Sequence, residues 1–116
     1  MRRIVSLHGH PTDPAAFDDY YRNTHTPLVQ RIPGVSNVRF GHVLPMSDGS
    51  PAPFYVVSDV YFEDDAAFDA AQSSPEMAAA LADVPRFATG GVTIMLCDFE
   101  DFPPMVGPPE GASTKP

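Results

Sequence analysis

Hydrophobic and polar positions along this chain follow two different periods. Four short stretches, residues 2–8, 35–44, 54–62 and 92–99, are apolar or alternate apolar with polar positions, which predicts strands. Between the first and second stretches, and between the third and fourth, apolar side chains recur every three or four residues, which predicts helices. The order β-α-β-β-α-β is that of a ferredoxin-like α+β fold with a four-stranded antiparallel sheet and helices on one face.

The first predicted helix occupies residues 13–34 and ends on a Pro-Gly pair. Asp13 is a suitable N-cap, and Pro14 suits the first helical position because proline donates no hydrogen bond. Pro27 disfavours α geometry at Thr26, so a kink or a restart is expected there. At about 100° per residue, one stripe of this helix has His25 at its margin and contains Phe17, Tyr21, Thr24, Leu28 and Ile32.

The second helical region begins after the third strand, where Asp64 or Asp65 can act as N-cap. Ser74 starts a further helical turn, which Pro85 is expected to stop. That turn is expected to point three apolar side chains inward: Met77, Leu81 and Val84.

Residues 1–102 are expected to form one domain. The proline-rich residues 103–116 cannot form a helix or a sheet ladder, so an extended C-terminal tail is expected.

The sheet face without helices is expected to be apolar. Strand three would present one of two sets there, either Phe54, Val56, Val60 and Phe62 or Tyr55, Val57 and Tyr61. Large contiguous apolar patches are uncommon on soluble monomers. A homodimer with two sheets packed face to face is therefore expected.

Charge and composition narrow the range of partners. The 116 residues include seven Lys and Arg against fifteen Asp and Glu, a formal net charge of −8, which repels phosphate backbones and anionic lipid headgroups. Neither nucleic acid nor a membrane is an expected partner, and no apolar run of about 20 residues is present. The single cysteine, Cys97, allows no internal disulfide, so a cytoplasmic location is expected.

His25 is the main candidate catalytic residue. A histidine titrates near neutral pH, so one held in a half-buried cavity can move a proton between carbon and oxygen of a bound molecule without a cofactor. The alternative is a histidine at the core edge with a structural role only, its ring bonded to a carbonyl or to Tyr21.

Asp59 is the second candidate catalytic residue. It interrupts the apolar third strand, where an ionised carboxylate needs a partner, and His25 or Arg39 could supply one. If Asp59 faces the helices, it could fix the tautomer of His25. The alternative is an ion pair without a catalytic role.

Several polar side chains are candidates for substrate binding. Tyrosines can hydrogen-bond a substrate oxygen, although they more often pack in a core. An arginine can bind a carboxylate through two hydrogen bonds, or it can form a salt bridge instead. The candidates are Ser6, Tyr21, Arg39, Tyr55 and Tyr61.

Neither a metal ion nor a cofactor is expected. His8 and His10 point the same way from the end of strand one, and His42 or Asp13 could join them, but no paired Cys/His spacing accompanies them. Histidines in a turn beside proline are usually solvated. Gly-rich phosphate-binding loops and Gly-x-Ser-x-Gly motifs are absent.

Several short segments carry a family resemblance. They are residues 9–14 (Gly-His-Pro-Thr-Asp-Pro), Phe17, 20–21 (Tyr-Tyr), 24–28 (Thr-His-Thr-Pro-Leu), 32–34 (Ile-Pro-Gly), 54–55 (Phe-Tyr), 59–62 (Asp-Val-Tyr-Phe), 74–76 (Ser-Pro-Glu) and 83–88 (Asp-Val-Pro-Arg-Phe-Ala). With the order of strands and helices, they resemble the EthD family of dimeric α+β barrel proteins. The resemblance implies a ferredoxin-like protomer, a homodimer and a cavity between helices and sheet.

The resemblance implies less about chemistry, since similar barrels include muconolactone methylisomerases, polyketide cyclases, cofactor-free monooxygenases and haem-degrading proteins. In the isomerase-like members a histidine of the first helix lies in the active site, and His25 matches that position. The first hypothesis is therefore a small cofactor-independent enzyme that shifts protons in a hydrophobic, oxygenated small molecule. The alternatives are a non-catalytic binding or accessory protein of a degradation pathway, and a monooxygenase or haem-handling barrel.

Overall fold

The fold rests on one antiparallel sheet. The structure is a computed structural model that describes residues 1–106. The strands lie in the order β2-β3-β1-β4, and every neighbouring pair is antiparallel. This is the expected ferredoxin-like α+β arrangement. The strands are β1 (Arg2–His8), β2 (Val35–His42), β3 (Val56–Phe62) and β4 (Val92–Asp98).

Helices cover one face of this sheet. Asp13, Asp64 and Ser74 each accept a hydrogen bond from a backbone N–H of a first helical turn, so Asp64 rather than Asp65 caps the second helical region. The α-helix after Ser74 ends at Asp83, before Pro85 as predicted, and a 3₁₀ turn, Val84–Arg86, follows it. The α-helices are α1 (Pro14–Tyr20), α2 (Thr26–Gln30), α3 (Asp65–Ala71) and α4 (Pro75–Asp83).

A π-helical turn, Tyr21–His25, separates α1 from α2. The Thr26 N–H donates to the carbonyl of Tyr21, five residues back, and Thr26 has α-helical angles (φ −55°, ψ −42°). The predicted restart near Pro27 is present, but the predicted loss of α geometry at Thr26 is wrong. The wider π-helical turn before Pro27 relieves the clash of the proline ring with the preceding turn. The helix can therefore restart at Thr26 while Thr26 keeps α-helical angles.

The same turn changes which side chains of the first helical region are buried. An i→i−5 bond winds one more residue into the turn and rotates the residues that follow it. His25 is therefore buried rather than marginal, and Thr24, predicted to face inward, is exposed. The buried row is Phe17, Tyr21, His25, Val29 and Ile32.

The helix-facing side of β3 is the Val56, Ser58, Val60 and Phe62 set, which is buried. Of the two sets predicted for the uncovered face, the second is therefore found, with one exception. β3 begins at Val56, so Tyr55 precedes the strand and contacts Phe17 of α1 instead. The uncovered side of the sheet, called the open face below, holds Val5, Leu7, Val57, Tyr61 and Met95.

The C-terminal tail lies only in part within the described residues. Residues 103–106 have no helix or strand, and the rest of the predicted tail, 107–116, lies outside the described residues. Among residues 1–106, no helix is long and apolar enough to cross a bilayer.

Candidate active site

His25 lies at the end of the π-helical turn with its ring inside the protein. Its side chain is 7% exposed, and its Nδ1 lies 3.0 Å from Oδ2 of Asp83. Asp83 is the last residue of α4, and its side chain is also 7% exposed. The helical region after β1 is thus joined to the end of α4 by a buried hydrogen bond between side chains.

Asp83 has two further partners on its other oxygen. The Tyr20 hydroxyl donates a hydrogen bond of 2.6 Å to Oδ1, and Nε of the exposed Arg86 lies 3.9 Å from the same atom. Tyr20 ends α1, and Arg86 lies in the 3₁₀ turn. Both carboxylate oxygens of Asp83 are therefore engaged, Oδ2 by His25 and Oδ1 by Tyr20 and Arg86.

Burial and hydrogen bonding set the charge states of this group. Burial lowers the pKa of His25 below its usual 6.5, against the opposing effect of Asp83. Burial alone would raise the pKa of Asp83, but the hydrogen bonds from Tyr20 and His25 outweigh it and lower that pKa. At neutral pH the pair is therefore a neutral imidazole beside an ionised carboxylate.

A cleft between the helices and the sheet reaches His25. Its volume is about 50 Å³, and two polar side chains, Ser6 and His25, take part in its lining. Its mouth is formed by Leu81, which is 48% exposed, and Ile94 of β4, which is 39% exposed. Leu81 was predicted to point inward and instead lies at this mouth. The apolar lining is Ile4, Val29, Ile32, Met77, Ala80, Leu81, Val84 and Ile94.

Aromatic rings pack against the His25 imidazole on the side away from the cleft. The ring centroid of Phe87 lies 4.6 Å from that of His25, and Tyr21 lies 5.2 Å away. Phe87 and Tyr21 also contact His8, the last residue of β1. This packing restricts the His25 ring and excludes water from the side opposite the cleft.

A family model described as the EthD domain matches residues 9–91, which is more than half of the chain. The chain belongs to the EthD family. An uncharacterised 11.0 kDa protein of Rhodococcus erythropolis, from a thcB–thcC intergenic region, is 44% identical over 100 residues, which are 86% of this chain and 96% of that protein.

Solved structures agree with this assignment. An EthD family protein from Bacillus halodurans superposes on this EthD protein with a TM-score of 0.77 at 29% identity, covering 86% of this chain and 99% of that one. SnoaB from Streptomyces nogalater, a cofactor-independent oxygenase, has a TM-score of 0.57 at 17% identity, covering 90% and 96% of the two chains. The likeness to SnoaB shows the fold alone.

The predicted site residues of this EthD protein separate into two groups. Ser6 and His25 lie together at the cleft. Asp59, Tyr61 and Arg39 lie on the opposite side of the sheet, because successive residues of a strand point to opposite faces.

Asp59 does not meet His25. Its Oδ2 accepts a hydrogen bond of 3.1 Å from Arg3 on the open face, and the Tyr61 hydroxyl accepts bonds from both Arg3 and Arg39. The condition under which Asp59 would fix the tautomer of His25, a side chain facing the helices, is therefore not met. The carboxylate beside His25 is Asp83.

The remaining two tyrosines differ in their surroundings. Tyr21 is buried against the His25 ring, and burial raises its pKa. Tyr55 lies away from the cleft and donates a hydrogen bond of 2.9 Å to Asp18 of α1. Of the two, Tyr21 is the one that contacts His25.

The histidines around β1 do not converge. His8 is 2% exposed among Phe17, Tyr21 and Phe87, so the expectation of a solvated turn histidine is wrong for it. His10 contacts the Ala52 carbonyl. Over residues 1–106, no group of three or more His, Cys, Asp or Glu side chains is arranged to hold a metal ion.

Asp83 is the site residue that pattern analysis did not select. It lies six residues after Met77 and three after Ala80, and all three are buried on one face of α4. A carboxylate on the inner face of an apolar helix needs a buried partner. The position of Asp83 in this apolar row was therefore the sequence signal that could have identified it as a site residue.

Proposed function

We propose that this EthD protein is a cofactor-independent enzyme in which His25 moves protons on a hydrophobic, oxygenated small molecule held in the cleft. The observation that carries the proposal is a neutral, buried imidazole that lines the cleft and bonds an ionised carboxylate through Nδ1. An isomerisation, cyclisation or elimination step needs such a group within reach of the substrate.

The cleft supports this substrate class through its lining. Eight apolar side chains surround two polar ones, so a bound molecule gains mainly from burial of hydrocarbon surface. The Ser6 hydroxyl can donate a hydrogen bond to a carbonyl or phenol oxygen, while His25 takes a proton from a neighbouring carbon. Isomerisation, cyclisation and elimination would all begin with this transfer.

The mouth of the cleft supports a substrate larger than the cleft itself. A volume of about 50 Å³ accepts only a small group. Beyond it, Leu96 of β4 is 60% exposed on the same, helix-facing side of the sheet as Ile94. A substrate would insert its oxygenated end and leave a hydrophobic body over the Leu81 and Ile94 side chains.

The working form in this proposal is a homodimer joined through the open face. That face carries the exposed Met95 and the half-buried Val57, and unpaired apolar surface favours a second copy.

Extraction of bound metabolites tests the enzymatic proposal. Small molecules that co-purify with the protein are identified by mass spectrometry and returned to the wild type, His25→Ala and His42→Ala. We expect the wild type and His42→Ala to convert the ligand, because His42 lies outside the cleft and bonds Asp18. We expect His25→Ala to bind it without conversion. Conversion at the wild-type rate by His25→Ala, or binding without conversion by all three proteins, would contradict the proposal.

A further inference from the structure

We infer that Asp83 is a positioning residue that keeps the imidazole proton of His25 on Nδ1 and leaves the lone pair of Nε2 available at the cleft. Tyr20 and Arg86 hold the Asp83 carboxylate in the orientation in which Oδ2 accepts from Nδ1 of His25. The use of that lone pair in a reaction rests on the proposed function, whereas the position of the proton does not.

The chemistry of the Asp83 carboxylate decides which nitrogen of His25 donates. An ionised carboxylate only accepts hydrogen bonds, and the Asp83 pKa is lowered, so this group is ionised at neutral pH. The ring atom 3.0 Å from Oδ2 is Nδ1, so Nδ1 must be the donor. A neutral imidazole carries one proton, and with that proton on Nδ1 the other nitrogen, Nε2, is an acceptor.

The two oxygens of Asp83 have different partners. Oδ1 accepts the Tyr20 hydroxyl at 2.6 Å and has Nε of Arg86 3.9 Å away, while Oδ2 faces His25. The Tyr20 hydroxyl donates to Oδ1, and the guanidinium of Arg86 can only donate, so the two groups together favour an oxygen at that position. The carboxylate therefore cannot turn without breaking the Tyr20 bond.

Two other titratable groups, His8 and Tyr21, lie close to His25. The pKa of His8 in β1 is lowered to about 4, mainly because the ring is buried and to a smaller extent because His25 repels its charged form. His8 is therefore neutral at pH 7. Burial raises the pKa of Tyr21 in the π-helical turn, so Tyr21 is neutral as well. Asp83 is the charged group that bonds the His25 ring.

The asymmetry makes Asp83→Asn an informative variant. Tyr20 and Arg86 favour the amide oxygen at the Oδ1 position, which places the amide NH₂ at the Oδ2 position, facing His25. An NH₂ group donates, so Nδ1 would have to accept and the ring proton would move to Nε2. Tyr20→Phe keeps the carboxylate acceptor, so in that variant the proton stays on Nδ1.

The tautomer can be measured by long-range ¹H–¹⁵N correlation of the histidine side chains in the ligand-free protein above pH 7. We expect His25 with a protonated Nδ1 in the wild type and in Tyr20→Phe, and with a protonated Nε2 in Asp83→Asn. The Tyr20→Phe and His42→Ala proteins control for general effects of substitution. His42 bonds Asp18 through Nε2, away from this site.

Two results would overturn the inference. One is a wild-type His25 with its proton on Nε2, which needs no variant and stands even if Asp83→Asn does not fold. The other is a folded Asp83→Asn protein that retains the proton on Nδ1. Because neither measurement uses a substrate, a failure here is distinct from a failure of the proposed function, which would show as turnover that does not depend on His25.

Discussion

Nδ1 of His25 lies 3.0 Å from Oδ2 of Asp83 although 58 residues separate them in the chain. The bond joins the π-helical turn to the end of α4 and lies in the interior. The hydrogen bond lowers the free-energy cost of burying both side chains, since a buried carboxylate or imidazole without a hydrogen-bond partner is disfavoured. This relationship places the imidazole at the cleft.

The stability of the protein is predicted to fall as the pH is lowered from 6.5 towards 4. The pKa of His8 is about 4 in the folded protein against 6.5 for a free histidine, mainly because the ring is buried. The unfolded chain therefore binds a proton in this range that the folded protein does not, and stability present above pH 6.5 is lost as the pH falls. We expect His8 to contribute roughly 2 kcal/mol of this loss, allowing for partial screening.

Urea unfolding of wild type, His8→Phe and His10→Phe between pH 4 and 7 measures this contribution. The pH dependence should be weaker in His8→Phe and unchanged in His10→Phe, because His10 is exposed. The comparison uses the slope with pH rather than absolute stability, so a packing cost of the phenylalanine does not affect it. Equal slopes for all three proteins would show that His8 does not titrate in this way.

Asp64→Ala is predicted to destabilise the protein by about 1 kcal/mol. Its carboxylate accepts the Ala67 N–H at 2.7 Å and caps α3. Asp65→Ala is the control at the adjacent position, where the side chain makes no cap and only long ion contacts of 3.9 Å. Thermal unfolding followed by circular dichroism should show a larger loss for Asp64→Ala, and the reverse order would contradict the assignment of the cap.

Met77→Ala is predicted to cost about 2–5 kcal/mol of unfolding free energy, since it removes a buried side chain and leaves a cavity. Met77 is 4% exposed on the inner face of α4. Leu81 lies on the same helix at the mouth of the cleft, so Leu81→Ala is expected to cost less than half as much. Chemical unfolding of both variants decides the question, and equal losses would mean that Leu81 is as buried as Met77.

Val57→Lys is predicted to weaken self-association, because it places a charge at the centre of the open face. Met46→Lys introduces the same charge in the exposed loop between β2 and β3 and should leave association unchanged. Sedimentation equilibrium is expected to give a wild-type dimer and a more dissociated Val57→Lys protein. A wild type that sediments as a single chain would contradict the dimer.

Much of the fold follows from local patterns. β1 has the predicted bounds, and Asp13 caps the first helix as predicted, because alternation and capping depend on neighbours in the chain. Strand three was predicted to begin two residues before Val56. The contact of Tyr55 with α1 ends the alternation there, and a single-strand pattern does not contain that contact.

The candidate site was harder to predict because its geometry depends on contacts between distant segments. His25 was selected by residue type and family resemblance, and the π-helical turn that buries it could not be seen from an ideal helical period. Asp59 was expected to partner His25 if its side chain faced the helices, but the alternation of β3 places Asp59 on the open face. Asp83 reaches His25 only through the packing of α4 on the first helical region.

The central claim is that His25 exchanges a proton with carbon in a bound ligand. Incubation in D₂O of the ligand that co-purifies with the protein, followed by mass spectrometry, measures this transfer directly. We predict solvent deuterium in the ligand or its product with the wild type and with His42→Ala, and a loss of at least about 100-fold in the rate of incorporation with His25→Ala. A ligand that leaves the wild-type protein unlabelled, or labelling by His25→Ala at the wild-type rate, would contradict the account.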